Sequence, residues 1–232
     1  MVSRRPAKTA PILRHLRPTG ANQAAVLDEL RRVLVAGGAP PGTALPLDEI
    51  ASVFGISRIP VREALRMLQA EGLVEHLPRG GYTVALLSWA EHVELNAARA
   101  ALERTALAAA VEHADANVDT QLRTIQARGA AALEAGDTDT WDRVSRDIHA
   151  ALLAPCGMRR LLHLWEEATN VSGLARPMTR LPASRLRALH AEHEAIVTAY
   201  LTRDAPLVIA TNETHMEHVE DALASLDEQP DS

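Results

Sequence analysis

From Asn22 to Ala36 apolar side chains return at Val26, Leu30, Val33 and Leu34, the spacing of one buried helix face, and the run stops at Gly37-Gly38-Ala39-Pro40-Pro41-Gly42. A second short helix is predicted over Leu47–Phe54, closed by Gly55. A third is predicted from Ser57, which can cap it, to about Ala70, just before Gly72. The period then changes. Leu73–Leu77 and Tyr82–Leu86 are short apolar-rich runs around Pro78-Arg79-Gly80-Gly81, which predicts a β-hairpin with a basic tip. From Ser88 to Leu226 only helical periodicity remains, with breaks near Gly136-Asp137, Pro155-Cys156-Gly157, Pro177–Pro182 and Asp204-Ala205-Pro206. Six helices are expected there, so the fold class is mainly α with one small hairpin between a short helical head and an all-helical bundle.

Composition narrows the class. A chain of 232 residues that is 47% apolar and 23% charged can bury two modest cores. Aromatic residues are only 3% of it, so the helical body is expected to pack through Ala, Leu, Ile and Val. No run approaches the ~20 apolar residues of a membrane span, and the Arg-containing N-terminus lacks the apolar segment of a secretory signal. A soluble, cytoplasmic protein with no membrane association is expected. The single Cys156 excludes an internal disulfide and reads as a helix-end thiol. The net charge of −6 changes meaning once it is divided. Residues 1–85 hold 11 Lys and Arg against 7 Asp and Glu, while residues 86–232 hold 13 against 23. A basic head can meet a polyanion that the acidic body avoids.

The head has the chemistry for that encounter. Gly55-Ile56-Ser57-Arg58-Ile59-Pro60-Val61-Arg62-Glu63 reads as a tight turn and a helix with Pro in its first turn, where no N–H is needed. Arg58 and Arg62, four apart, project from one face, and Val61, Leu65 and Leu68 form the neighbouring apolar stripe. Alone, this is equally a surface helix with two solvated arginines. The following loop with Arg79 between strands favours a helix-turn-helix with a wing, whose second helix places Arg against base edges in the major groove. Pro41-Gly42-Thr43, Ser57-Arg58-Ile59-Pro60-Val61-Arg62-Glu63-Ala64-Leu65, Glu71-Gly72-Leu73-Val74 and Pro78-Arg79-Gly80-Gly81 together resemble the GntR family of winged-helix repressors. The resemblance implies DNA contacts by Ser57, Arg58 and Arg62 from the recognition helix and by Arg79 and Gly80 from the wing. Two positions depart from the family pattern. Ile59 stands where members often have Thr, and Asp48 where some carry a DNA-contacting Arg, so the operator sequence stays open. The expected organisation is a flexible arm over 1–19, a winged helix-turn-helix over 20–86, a helical effector domain over 88–226 and a tail over 227–232. The arm, with Arg4, Arg5, Lys8, Arg14 and Arg17, reads either as a minor-groove contact or as a loose tail.

The body, through Arg99-Ala100-Ala101-Leu102-Glu103 and through Glu192-His193-Glu194-Ala195-Ile196, Arg203-Asp204 and His215, resembles the FadR-type C-terminal domain. A subset of that group binds a divalent metal through three histidines and an acidic residue, which implies His149, His193 and His215 here. Helical spacing independently puts each of these imidazoles among apolar neighbours, facing the bundle interior, where a histidine is equally a satisfied core residue. The family's acidic ligand falls at Ser145, a weak neutral donor, and Asp142 and Asp147 do not share its place. Three neutral imidazoles would leave Zn²⁺ or Ni²⁺ open to water or an effector carboxylate. Arg99 reads as an anchor for an anionic effector or as half of an internal ion pair with Glu103, and Asn212, one turn before His215, as a polar contact in the same cavity. The function expected is a homodimeric DNA-binding repressor, not an enzyme, that binds a double-stranded operator and is released by a small organic acid. The alternatives are a metal-dependent hydrolase on the three histidines and an RNA-binding winged helix.

Overall fold

The computed structural model describes residues 10–18 and 20–227. Helix α1 (Gln23–Val35) starts where Asn22 in extended backbone accepts a hydrogen bond from the Ala25 N–H at 2.9 Å, satisfying a first-turn donor. Its stripe Val26, Leu30, Val33 and Leu34 is buried as the periodicity predicts. A two-residue strand β1 (Ala44–Leu45) precedes α2 (Leu47–Phe54). That helix ends at Gly55, whose φ of 64° is the left-handed conformation open to glycine without steric cost. Helix α3 (Arg58–Ala70) follows and packs Val61, Leu65 and Leu68 inward against α1. Ser57 holds the N-cap position, yet its side chain makes no capping hydrogen bond, contrary to expectation, and is exposed instead.

Strands β2 (Val74–Leu77) and β3 (Gly81–Val84) form the expected antiparallel hairpin, with Val74 opposite Val84 and Leu77 opposite Gly81. The sheet has a third member that the sequence did not announce. β1 pairs antiparallel with β3, in the order β1-β3-β2, and two residues are too few to show an alternating pattern. Part of the expected flexible arm is also ordered. Pro11–Arg14 form a 3₁₀ turn, Ile12 and Leu16 are buried, and the Arg17 N–H donates to the Glu29 carboxylate. Two apolar residues four apart have a core to join, which a charge-and-proline reading of this segment overlooked. Residues 1–9 with Arg4, Arg5 and Lys8, Thr19, and the tail after Asp227 lie outside the described residues.

The chain divides into two compact units, Met1–Leu87 with Gly173–Ala175, and Ser88–Ser172 with Arg176–Ser232. The second unit contains α4 (Trp89–His113), α5 (Ala116–Glu134), α6 (Thr138–Leu153), α7 (Arg159–Ser172), α8 (Ala183–Leu201) and α9 (Ala205–Asp227). Ser88 and Glu91 form a capping box at the start of α4. Helix α4 packs on α7 and α9, α5 on α6 and α8, and α8 on α9. Leu107, Leu122, Val144, Ile148 and Ile196 centre the main core, and Trp141 centres a second cluster with Leu186, Leu189 and Val219. The buried Tyr200 hydroxyl donates to the Ala110 carbonyl at 3.2 Å, so even the core phenol is satisfied.

The α5–α8 approach depends on Gly129, where an added Cβ would lie 2.9 Å from His190 Cε1 and 3.0 Å from Val144 Cγ1. In an open helix interior, Gly→Ala gains up to about 1 kcal/mol. Overpacking two buried neighbours costs about 1–3 kcal/mol, so the loss is expected to win. Gly129→Ala should therefore lower the denaturation midpoint, and a rise on chemical denaturation would disprove this packing account.

Candidate functional site

The first candidate surface is built on α3 and the β2–β3 turn. Burying Val61, Leu65 and Leu68 on one side of α3 turns Ser57, Arg58, Ile59 and Arg62 outward, all of them exposed. Arg58 lies against Asp48 of α2, with its Nε 2.7 Å from Oδ1. Arg62 and Arg79 have no partner among the described residues. The wing tip is a tight turn in which the Gly80 N–H donates to the Leu77 carbonyl at 2.9 Å. A Cβ at Gly80 would meet the Leu77 Cβ at 2.9 Å, and Arg79 takes a left-handed φ of 65°. That conformation is costly for a side-chain-bearing residue and holds Arg79 at an exposed apex. Unpaired guanidiniums on a reading helix and a wing suit phosphate and base edges.

The second site lies inside the helical unit. His149 comes from α6, His193 from α8 and His215 from α9, each at most 3% exposed. One ligand atom from each lies within 4.8 Å of the others. The His193 ring is 5.3 Å from His149 and 4.5 Å from His215, centre to centre, and the Trp141 indole stacks on it at 5.9 Å. Among the described residues neither nitrogen of His193 has a hydrogen-bond partner, so at least one buried lone pair is unspent. His215 Nδ1–H donates to Glu192 Oε2 at 2.8 Å, while Oε1 of the same carboxylate accepts from His218 at 2.8 Å. This fixes the His215 tautomer and leaves its Nε2 as a lone pair.

Sequence reasoning missed the carboxylate behind His149 as part of this site. Glu103 of α4 is completely buried, with Oε2 3.2 Å from His149 Nδ1. It accepts hydrogen bonds from Trp165 Nε1 at 2.7 Å, Asn212 Nδ2 at 3.0 Å and Arg99 Nη2 at 3.4 Å. Its place one turn after Arg99 was visible as an ion pair, but the convergence of α6, α7 and α9 on it was not. Glu192 was less legible still, because it adjoins His193 in sequence and acts on His215. Of the residues weighed as acidic ligands, Ser145 is half-buried, Asp142 lies 3.1 Å from Arg146, and Asp147 faces Arg128 at 3.6 Å. Arg99 Nε and Asn212 Oδ1 are buried without partners among the described residues. A cavity of about 360 Å³ between α6 and α7 is lined by Arg146, Trp165, Thr169 and Asn170, and the buried Thr169 hydroxyl is also unpartnered.

The electrostatics follow from burial. Desolvation holds His193 well below the ordinary imidazole range, and the charges that His215 and His149 would carry push it further down. Desolvation also lowers His215, partly offset by its hydrogen bond to Glu192. Burial alone would raise Glu103, but His149, Arg99 and Trp165 outweigh it and hold the carboxyl well below its usual range. At neutral pH His193 and His215 are therefore neutral imidazoles, and Glu103 is an ionised carboxylate.

A head that offers exposed cations and a separate helical unit with a polar interior fit a DNA-binding regulator with a second, helical domain. The comparisons with known proteins agree. The model for bacterial regulatory proteins of the gntR family matches residues 22–84, and the FCD domain model matches residues 94–218. The chain belongs to the GntR family of bacterial regulators, with an FCD domain as its helical part, the class in which the FadR-type expectation falls. It is 28% identical to the transcriptional repressor GlaR of Escherichia coli K12, over 75% of this chain and 83% of that one. It is 26% identical to the transcriptional regulator YdhC of Bacillus subtilis, over 73% and 76% of the two chains. The solved structure of E. coli McbR/YncC matches with a TM-score of 0.78 over 88% of this chain and 97% of that one, at 24% identity, which supports the fold. The family and these relatives are transcription regulators rather than enzymes, so a metal-dependent hydrolase finds no support. Among the described residues no helix is long and apolar enough to cross a membrane.

A base whose folded pKa is depressed takes its proton only in the unfolded chain as pH falls through about 6.5, so stability declines there. Metal-free protein should lose stability from about pH 6.5 downward, by up to ~1.4 kcal/mol per pH unit for each such imidazole. The depressed Glu103 adds its own loss only below about pH 4.3, where unfolded carboxyls protonate. Thermal melts in chelator from pH 8 to 5 check this. A shallower decline is expected for His193→Ala, and a flat wild-type profile would mean that the imidazoles protonate without unfolding.

Proposed function

We propose that this protein is a homodimeric repressor of the FadR subfamily that binds a double-stranded operator. In this reading Ser57, Arg58 and Arg62 contact DNA from α3, and Arg79 and Gly80 from the wing. Binding is relieved by a small carboxylate-bearing metabolite in the helical unit. The observation that carries the sensing part is the convergence of His149, His193 and His215 within 4.8 Å, with both His193 nitrogens unpartnered. That donor set fits a divalent cation of the Zn²⁺ or Ni²⁺ type, held by the three imidazoles. When bound, the cation would supply an electrophilic centre with positions open to an effector carboxylate. Glu192 orients His215, and Glu103 stands behind His149, which offsets in charge the acidic ligand that Ser145 does not provide. Arg99 and Asn212 spend part of their hydrogen bonding on Glu103. Their remaining unpartnered atoms, Arg99 Nε and Asn212 Oδ1, support a polar effector contact beside it. Release needs the effector to prefer one dimer arrangement by about 10⁴-fold, or ~5.5 kcal/mol, to move the population from mostly bound to mostly free.

Elemental analysis of untagged protein tests the site, with about one metal per chain expected in the wild type and none in His193→Ala. Glu192→Gln should keep the metal with about 10–100-fold weaker affinity in a chelator competition. No metal in the wild type after soaking with Zn²⁺ or Ni²⁺ would make the histidines core residues. On the head, Arg62→Ala and Arg79→Ala should each weaken duplex binding and flatten its salt dependence by about one counterion. Preferential binding of RNA in competition with the gene's upstream duplex would overturn the operator reading.

A further inference from the structure

We propose that Asp48 is a specificity-determining residue, which holds the Arg58 guanidinium so that its outer edge reads a guanine and lowers binding to unrelated duplex. The inference rests on the reading that α3 enters the major groove. Of the three arginines placed on the DNA-facing surface, only Arg58 has a partner among the described residues, since Arg62 and Arg79 have none. That partner sits at the start of α2, with Asp48 Oδ1 2.7 Å from the Arg58 Nε. The two side chains are 69% and 62% exposed, so they meet on the outer surface rather than in the core. The left-handed turn at Gly55 lets α3 follow α2 closely enough for this contact.

An ion pair this exposed contributes little to stability, so folding does not account for it. A carboxylate beside a phosphate-rich ligand is also unfavourable for binding as such, because it repels the backbone of every sequence alike. That cost is offset if the pair acts on discrimination. Asp48 approaches the guanidinium at Nε, and the two terminal nitrogens form the edge that matches guanine O6 and N7. Arg side chains have large rotamer freedom, and a fixed flank reduces what must be ordered on docking. As the duplex excludes water, an acceptor held next to Arg58 also penalises poses in which the guanidinium turns to a phosphate. Specificity here combines an attractive and a repulsive element.

The experiment is selection of bound sequences from a randomised duplex library by the full chain. Wild type, Asp48→Ala, Arg58→Ala and the double variant are compared at one salt concentration. Affinities for the best selected duplex and for a scrambled one follow. Arg58→Ala should abolish a guanine preference at one position per half-site. Asp48→Ala should weaken that same preference about tenfold and bind scrambled duplex a few-fold more tightly, with an unchanged melting profile. In the Arg58→Ala background the Asp48 effect on base preference should vanish, because it acts through Arg58. Unchanged base preferences in Asp48→Ala, or an equal change in both backgrounds, would overturn the role of Asp48 while leaving the reading of α3 intact. Unchanged preferences in Arg58→Ala would overturn both.

Discussion

One buried carboxylate ties four helices of the helical unit together. Glu103 stands on α4 with Arg99, and receives His149 of α6, Trp165 of α7 and Asn212 of α9. A charge taken out of water costs several kcal/mol unless its surroundings replace the lost hydration, and removing one partner leaves the rest uncompensated. The helices therefore settle where the donors reach the carboxylate. That constraint fixes the side of the bundle on which His149 lies, and the positions of His193 and His215 follow from packing α8 and α9 beside it.

The same constraint makes the interior chemically poised. Apolar cores tolerate imidazole only in its neutral form, so burial that lowers His193 and His215 also keeps their lone pairs available at neutral pH. Carboxylates placed behind the rings orient them without entering the cluster itself. The bundle thus stores unspent hydrogen-bonding and ligating capacity at its centre, on His193, Arg99, Asn212 and Thr169. Such capacity is what a ligand can draw on to favour one packing over another.

The head solves the opposite problem. Its core along α1, α2 and α3 is apolar apart from Glu29, which pairs with Arg32, and its candidate DNA-facing groups are left outside. Among the described residues Arg62 and Arg79 have no partner, and Arg79 in left-handed backbone forms the wing tip with Gly80. Strain at the wing is held by the hairpin register beneath it.

The sequence by itself determined the order and type of the elements, because helical and alternating periods, glycine stops and proline breaks are local properties. Helix α2 and the six helices of the body were legible in this way, as was the inward direction of the three histidines. Short-range signals also carried the family motifs of the head. What the tertiary structure decided was non-local. The strand of Ala44 and Leu45 exists only because β3 offers it an edge, and Ile12 and Leu16 are core residues only because the head provides a core to join. Glu192 and Glu103 read locally as a charged neighbour of a histidine and as half of a helix-surface ion pair. Their actual partners lie 23 and up to 109 residues away, at distances set by how helices pack rather than by spacing along any one of them.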